Sequence, residues 1–224
     1  SDISETIEFE SDMTYGDLFN PVMLNISTGV DVSLDFVPGW NWFSLNVFID
    51  DMSLNSVLFT LEDGSASYIK SQSAFADYYS GFGWFGQLAD INNTEMYKMY
   101  MESNGNVAFT GNEVDVENTS ILLSQGWNWI AYTPQSSLDI NVALANIGDG
   151  NGSYIKSQAA FADYYSGFGW FGQLSFMDPF GGYQIFMENQ DEFVYNENTD
   201  ALTRFNDEQY INNSIWNLNI HDYE

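Results

Sequence analysis

The chain has no cysteine, so it holds no disulfide and no thiolate metal site. Cations are almost as scarce. Lys70, Lys98, Lys156 and Arg204 stand against 32 acidic residues, a formal net charge of -28 over 224 residues. Such a chain repels phosphate backbones and anionic bilayers, so neither a nucleic-acid partner nor membrane insertion is expected. No apolar run reaches the ~18 residues that suggest a membrane-spanning helix. Histidine is represented by His221 alone. There is no Gly-x-Ser-x-Gly elbow, Walker loop, dinucleotide fingerprint or His-x-x-x-His pair, and an enzyme is not expected. Glycosidase chemistry needs only two carboxylates, but among 32 acids such a pair discriminates nothing.

Hydrophobic residues are plentiful, at 45%, with 17% aromatic. High charge brings disorder only where hydrophobicity is low, so a folded chain with an acidic, hydrated exterior is expected. The dominant feature is a repeat. Ser67 to Leu88 reads SYIKSQSAFADYYSGFGWFGQL, and Ser153 to Leu174 repeats it with only Ser73 changed, to Ala159. Gly39-Trp40-Asn41-Trp42 recurs as Gly126-Trp127-Asn128-Trp129, while the segments between these landmarks have drifted. Selection or gene conversion therefore holds the aromatic block fixed.

Apolar residues alternate with polar ones at Val30, Val32, Leu34 and Phe36, the period of a half-buried strand. Trp40 to Phe48 reads as a second strand. Leu54, Val57, Leu58 and Leu61 have helical spacing behind an N-cap at Ser53, matched by Ile140, Ala143, Leu144 and Ile147 behind Asp139. Gly64 and Gly148 lie near the expected helix stops. Short strands follow over 68–72, 74–79, 84–88, 96–102 and 107–110. The expected fold is mainly β (β-sandwich-like or α+β), with two similar tandem domains packed end to end, each with one short helix. Residues 30–115 and 116–198 form the repeats, 1–29 a strand-like acidic arm, and 199–224 a strand-like tail.

The repeated aromatics suggest a stacking surface. The Gly-rich turn carrying Phe82 and Trp84 reads as an exposed platform, so Tyr78, Phe82, Trp84 and Phe85, with Tyr164, Phe168, Trp170 and Phe171, are candidate ligand-binding residues. Asp77, Gln87, Asp163 and Gln173 stand nearby for sugar hydroxyls. Core packing is the competing reading for most of these rings. Strand alternation exposes only one of Tyr78 and Tyr79. Lys70 and Lys156 read as strand lysines paired with Asp77 and Asp163, or as subunit contacts that fix docking register. Ile7, Phe9, Trp216, Leu218 and Ile220 are further candidate subunit contacts, on terminal strands able to complete a neighbour's sheet. Asp149-Gly150-Asn151-Gly152-Ser153 begins like a calcium loop but lacks the glycine at position six and the distal Glu. No cofactor is expected, with weak calcium binding at Asp149 and Asn151 left open against a plain turn.

The Gly-Trp-Asn-Trp motif, a short helix, Tyr-Ile-Lys-Ser-Gln, Ala-Phe-Ala-Asp-Tyr-Tyr, Gly-Trp-Phe-Gly and a closing Pro-Phe-Gly-Gly-Tyr together resemble a tandem module of large secreted and surface proteins of marine bacteria and marine viruses. More distantly, the pattern is similar to the "GWN-leader" β-modules of prokaryotic cell-surface proteins. The resemblance covers Val30 to Asn198. Residues 92–96 of the first unit depart from it, with Asn-Asn-Thr-Glu-Met where the second unit has its Pro-Gly-Gly turn. It implies a secreted or extracellular, non-enzymatic role on a cell or virion surface. The start at Ser1 is what a processed product would show. Two functions are expected from this: a structural repeat protein that assembles into a fibre or surface layer through terminal β-strands, or an adhesion module holding glycan or protein on its aromatic turns.

Overall fold

The computed structural model of the protein describes residues 29–196. The candidate contacts Ile7, Phe9, Trp216, Leu218 and Ile220, and the strand-like arm and tail that carry them, lie outside the described residues.

The fold is mainly β, built from two units of one design. The first contains β1 (Val30–Phe36), β2 (Gly39–Phe43), β3 (Val47–Phe48), a helical turn α1 (Leu54–Val57), β4 (Ala66–Lys70), β5 (Phe75–Tyr79), β6 (Gly83–Gly86), β7 (Tyr97–Met101) and β8 (Gly105–Glu113). The second contains β9 (Ile121–Leu123), β10 (Gly126–Ala131), β11 (Leu138–Asp139), α2 (Ile140–Ala143), β12 (Gly152–Lys156), β13 (Phe161–Tyr165), β14 (Gly169–Gly172), β15 (Phe176–Met177), β16 (Gly182–Met187) and β17 (Asp191–Phe193). Each unit carries an antiparallel five-stranded sheet, in the order β2-β7-β4-β5-β6 or β10-β16-β12-β13-β14. A second layer backs it: β1-β8-β3 in the first unit, and the pairs β9-β17 and β11-β15 in the second.

Alternation drives this layering. In β1, Val32 and Phe36 are buried while Asp31, Ser33 and Asp35 face water. On the inner face of the first five-stranded sheet, Phe43, Ile69, Ala76, Trp84, Tyr97, Met99 and Met101 join Phe36, Val107 and the helical-turn residues Leu54, Val57 and Leu58 in one core. The second core repeats this with Ile130, Ile155, Ala162, Trp170, Tyr183, Ile185 and Met187 against Ile140, Leu144 and Phe193.

Two elements are shorter than their sequence pattern suggests. The helical spacing marks residues that are buried or half-buried, but α1 and α2 are single turns of four residues. After α1 the chain leaves the helix and docks on β8, where the Thr60 hydroxyl donates to Asn106 O (3.2 Å) and accepts from Ala108 N (3.0 Å). In the second unit Asn146 reaches Val194 O at 2.8 Å in the same way. The expected strand 40–48 is broken at Ser44-Leu45-Asn46, because that stretch turns to the other unit. There Ser44 N donates to Phe180 O at 2.9 Å, and Asn46 Nδ2 donates to Pro134 O at 2.9 Å.

The units are not stacked end to end. They meet along the β2 and β10 edges, through contacts that exchange reciprocally. Gln72, just past β4, donates to Trp127 O and accepts from Trp129 N, both at 2.8 Å. Gln158, just past β12, donates to Trp40 O at 2.6 Å and accepts from Trp42 N at 2.8 Å. The bridge Phe43–Gly181 is matched by Ile130–Glu95. Identical patches meeting in both directions are the mark of a two-fold axis. Here it is approximate and lies within one chain.

Candidate functional site

Each Gly-Trp-Asn-Trp motif has a local structural job. Gly39 and Gly126 both adopt φ +94°, the left-handed region that glycine enters without penalty. The following Asn, on the inner side, clamps the turn. Asn41 Oδ1 accepts from Val37 N (3.1 Å), and its Nδ2 donates to Val37 O (2.7 Å) and Gly39 O (3.0 Å). Asn128 makes the equivalent three bonds to Ser124 and Gly126. With the turn fixed, the two Trp side chains of each motif project from the outer face.

The outer face of each sheet is built in two cross-strand rows. In the first unit one row runs Trp40, Tyr100, Tyr68, Asp77, Phe85 and the other Trp42, Lys98, Lys70, Phe75. In the second they run Trp127, Phe186, Tyr154, Asp163, Phe171 and Trp129, Gln184, Lys156, Phe161. The rings touch one another. Trp40 meets Tyr68 at 6.0 Å and Tyr100 at 5.4 Å, edge-on, and Tyr68 stacks on Phe75 at 5.7 Å. Trp127 meets Tyr154 at 5.9 Å and Phe186 at 5.4 Å, and Tyr154 stacks on Phe161 at 5.7 Å. Trp40, Phe75, Tyr79, Phe85, Tyr100, Trp127, Phe161, Tyr165 and Phe171 are all exposed. These exposed rings form one continuous apolar patch on each unit of an otherwise acidic chain.

The lysines sit where the two faces meet. Lys98 Nζ lies over Trp42 at 3.7 Å and over Trp129 of the other unit at 4.3 Å. Lys70 lies over Trp40 at 5.1 Å and Trp129 at 5.9 Å, and Lys156 over Trp127 at 4.9 Å. Three of the four cations of the chain and four of its seven tryptophans thus form one strip across the axis. Burial, then the charges of Lys70 and Lys156, push the Lys98 ammonium down to about 8. The residue matching Lys98 in the second unit is Gln184. In the amide orientation that satisfies both neighbours, its oxygen accepts from Lys98 Nζ at 3.0 Å and from Trp129 Nε1.

The candidate rings divide between the two faces. Trp84 is 6% exposed and Trp170 5%, so neither forms an exposed platform. They point inward because they pair across the ladder with Tyr78 and Tyr164, which pack edge-on against them at 5.2 and 5.1 Å. Tyr78 and Tyr164 are half-buried, and each hydroxyl donates to an aspartate, Asp63 (2.8 Å) or Asp149 (2.6 Å). Phe82 (80% exposed), Phe168, Phe85 and Phe171 do face solvent. Of the tyrosine pair, alternation exposes Tyr79 and its twin Tyr165, while Trp40, Trp127 and Lys98 belong to the surface but were not singled out from the sequence. Their signal was the Trp-x-Trp alternation, together with the inward side chain of Ile69 beside Tyr68 and Lys70.

Asp149 clamps the hairpin turn of the second unit. The carboxylate of Asp149 accepts from Tyr164, from Ser166 Oγ (2.9 Å) and from Gly167 N (3.4 Å), which holds it below the usual carboxylate range, with the Tyr164 bond the largest cause. Asp63 repeats this with Tyr78, Ser80 and Gly81. Asn151 donates to Asp191 at 3.0 Å. Among the described residues no three His, Cys, Asp or Glu side chains group closely enough to hold a metal. A cavity of about 590 Å³ lined by Asp35, Glu62 and Asn106 lies away from the aromatic rows. Another, of about 410 Å³, lies at the junction of the units beside Gln72 and Trp129. No protein-family model, no curated protein and no solved structure matches the chain.

Proposed function

We propose that this protein is a non-catalytic extracellular module that adheres to glycan through the outer faces of its paired sheets. The observation that carries this reading is the doubled row of exposed, mutually touching aromatic rings, presented side by side about one axis. Flat rings with an apolar face and a polar edge stack on the C–H faces of sugars. Asp77 and Asp163, set in the same rows, accept hydroxyl hydrogen bonds. Two equivalent surfaces on one chain favour a long or repeated ligand through bivalency.

Assembly into a fibre or surface layer through terminal strands is the second reading. Its strands lie outside the described residues. Both edges of each five-stranded sheet are engaged: β2 and β10 by glutamines, β6 and β14 by Asn55 and Asn141, which bond both backbone groups of Trp84 and Trp170. An added strand would have to extend the shorter sheets. Engaged edges therefore favour adhesion by face over polymerisation by edge.

The test is a panel of glycans read by calorimetry with the full chain and with a Trp40→Ala, Trp127→Ala variant. Binding that falls about tenfold or more in the variant, with its melting cooperative, is the expected result. Absence of binding across the panel, with large assemblies seen by light scattering, would replace this reading with the structural one.

A further inference from the structure

We propose that the lysine–tryptophan strip across the junction of the sheets binds a linear polyuronate, a polysaccharide carrying one carboxylate per sugar ring. This rests on the glycan-adhesion reading and names its substrate class.

The argument starts from charge placement. Lys70 and Lys98 stand directly opposite each other in the β4–β7 ladder, an arrangement that destabilises a sheet unless an anion lies between or above them. Lys156 approaches from the other unit closely enough that its charge, with that of Lys70, disfavours the Lys98 ammonium. The tryptophan rings hold these ammoniums by their faces but do not neutralise them. A chain of net charge -28 thus gathers three of its four cations into one strip that, among the described residues, no carboxylate pairs. Complementarity then asks for an anionic occupant.

The neighbouring rows narrow the choice. Trp40 and Trp127 flank the strip with exposed rings, so the occupant must offer apolar ring faces as well as charge. Asp77 and Asp163 lie further out along those rows and repel a densely charged polymer while accepting hydroxyls. The acidic remainder of the chain repels every polyanion, and a heavily sulfated chain with several charges per ring more than a chain with one. A sugar chain with a single carboxylate on each ring meets all three conditions. The approximate two-fold axis lets one such chain cross both units.

The experiment is a titration of the full chain at neutral pH with hexagalacturonate, cellohexaose, a heparin hexasaccharide and oligothymidylate, read by calorimetry. Saturable binding of hexagalacturonate ahead of the other three, weakened by added salt, is expected. A Lys70→Gln, Lys156→Gln variant, which keeps the aliphatic stems over the rings, should lose about tenfold or more in affinity while melting as the parent does. Cellohexaose binding without a preference for hexagalacturonate overturns this proposal but leaves glycan adhesion standing. Failure of all sugars overturns both. Tighter binding of heparin or oligothymidylate overturns the choice of a singly carboxylated sugar chain, and unchanged affinity in the lysine variant overturns the role of the strip.

Discussion

The two units make the same contacts with unequal sequences, and the inequality is informative. Three side-chain contacts keep the same residue in both copies. Gln72 and Gln158 close the same backbone positions, Asp63 and Asp149 clamp the same hairpin, and Asn55 and Asn141 close the same outer edge. Where the backbone makes the contact, the copies have drifted. Residues 92–95 and 178–181 share almost no chemistry. Yet Asn92 N and Asp178 N donate to Tyr97 and Tyr183 hydroxyls at 2.6 and 2.7 Å, and Thr94 O and Phe180 O accept from the opposite unit at 3.2 and 2.9 Å. A carbonyl is available from any residue type, so these loops are free to change. The apparent departure of the first unit from the repeat pattern is of this kind.

The sharpest way to break the comparison is in the cores. Trp84→Ala and Trp170→Ala should each cost about 3–5 kcal/mol, the range for a buried aromatic truncated in place. Because the units share hydrogen bonds and Phe180 packs into the core of the first unit, both variants should lower a single urea transition. Two separate transitions, each moved by only one variant, would mean that the units fold alone. The next effect in size is at the junction. Gln72→Ala and Gln158→Ala each remove two hydrogen bonds and strand backbone groups of an edge strand, at about 1–3 kcal/mol. The two costs should match, and a double-mutant cycle by urea melting measures how far they couple.

A smaller effect tests the position where the copies differ within the lysine–tryptophan strip. Gln184→Lys would set a second ammonium against Lys98 and remove its acceptor, costing about 1 kcal/mol and more at low salt. Lys98→Gln should cost less. It should also remove a pH dependence expected of the parent. Lys98 has a folded value of about 8, below its ordinary 10.5, so the unfolded chain binds more protons between these values and stability rises with pH across that window. The upper part of the window is opposed by tyrosines. Tyr183 is pushed up to about 12, mainly by burial, so the folded form loses stability as pH climbs past the ordinary tyrosine value of 10. Melting followed from pH 8 to 9.5 therefore isolates the lysine, and a flat profile in the parent would rule out an unfavourable Lys98 charge.

The expected acid response is smallest. Asp63→Asn and Asp149→Asn should remove matching, minor stability that the parent holds above the ordinary carboxylate range and loses as pH falls below it. Unequal losses in acid melts would show that one clamp does more than its twin.

Much of the fold was legible because burial follows period. Val32 and Phe36, and the inward set at Ile69 and Ala76, stand where alternation puts them. Helical spacing at Leu54, Val57 and Leu58 marked buried positions correctly but not the length of the helix, since a single turn followed by a bend presents the same side chains. The facing of Trp84 against Phe85 was not legible. With bulky rings on both sides of the strand, hydropathy does not report register, which is set by pairing with Tyr78. Gln72 and Gln158 carry no signal of their role in the sequence. Their partners lie 55–57 and 116–118 residues away and are backbone atoms, which leave no trace in composition.

The reciprocal glutamine lock also sets an arithmetic. Each unit offers one glutamine and one tryptophan edge, and each is consumed by the same neighbour. The pair is therefore saturated, as a handshake is, and leaves no like-for-like hand for a third repeat. A longer array of this module would have to grow by twos, each pair joined to the next by some other surface.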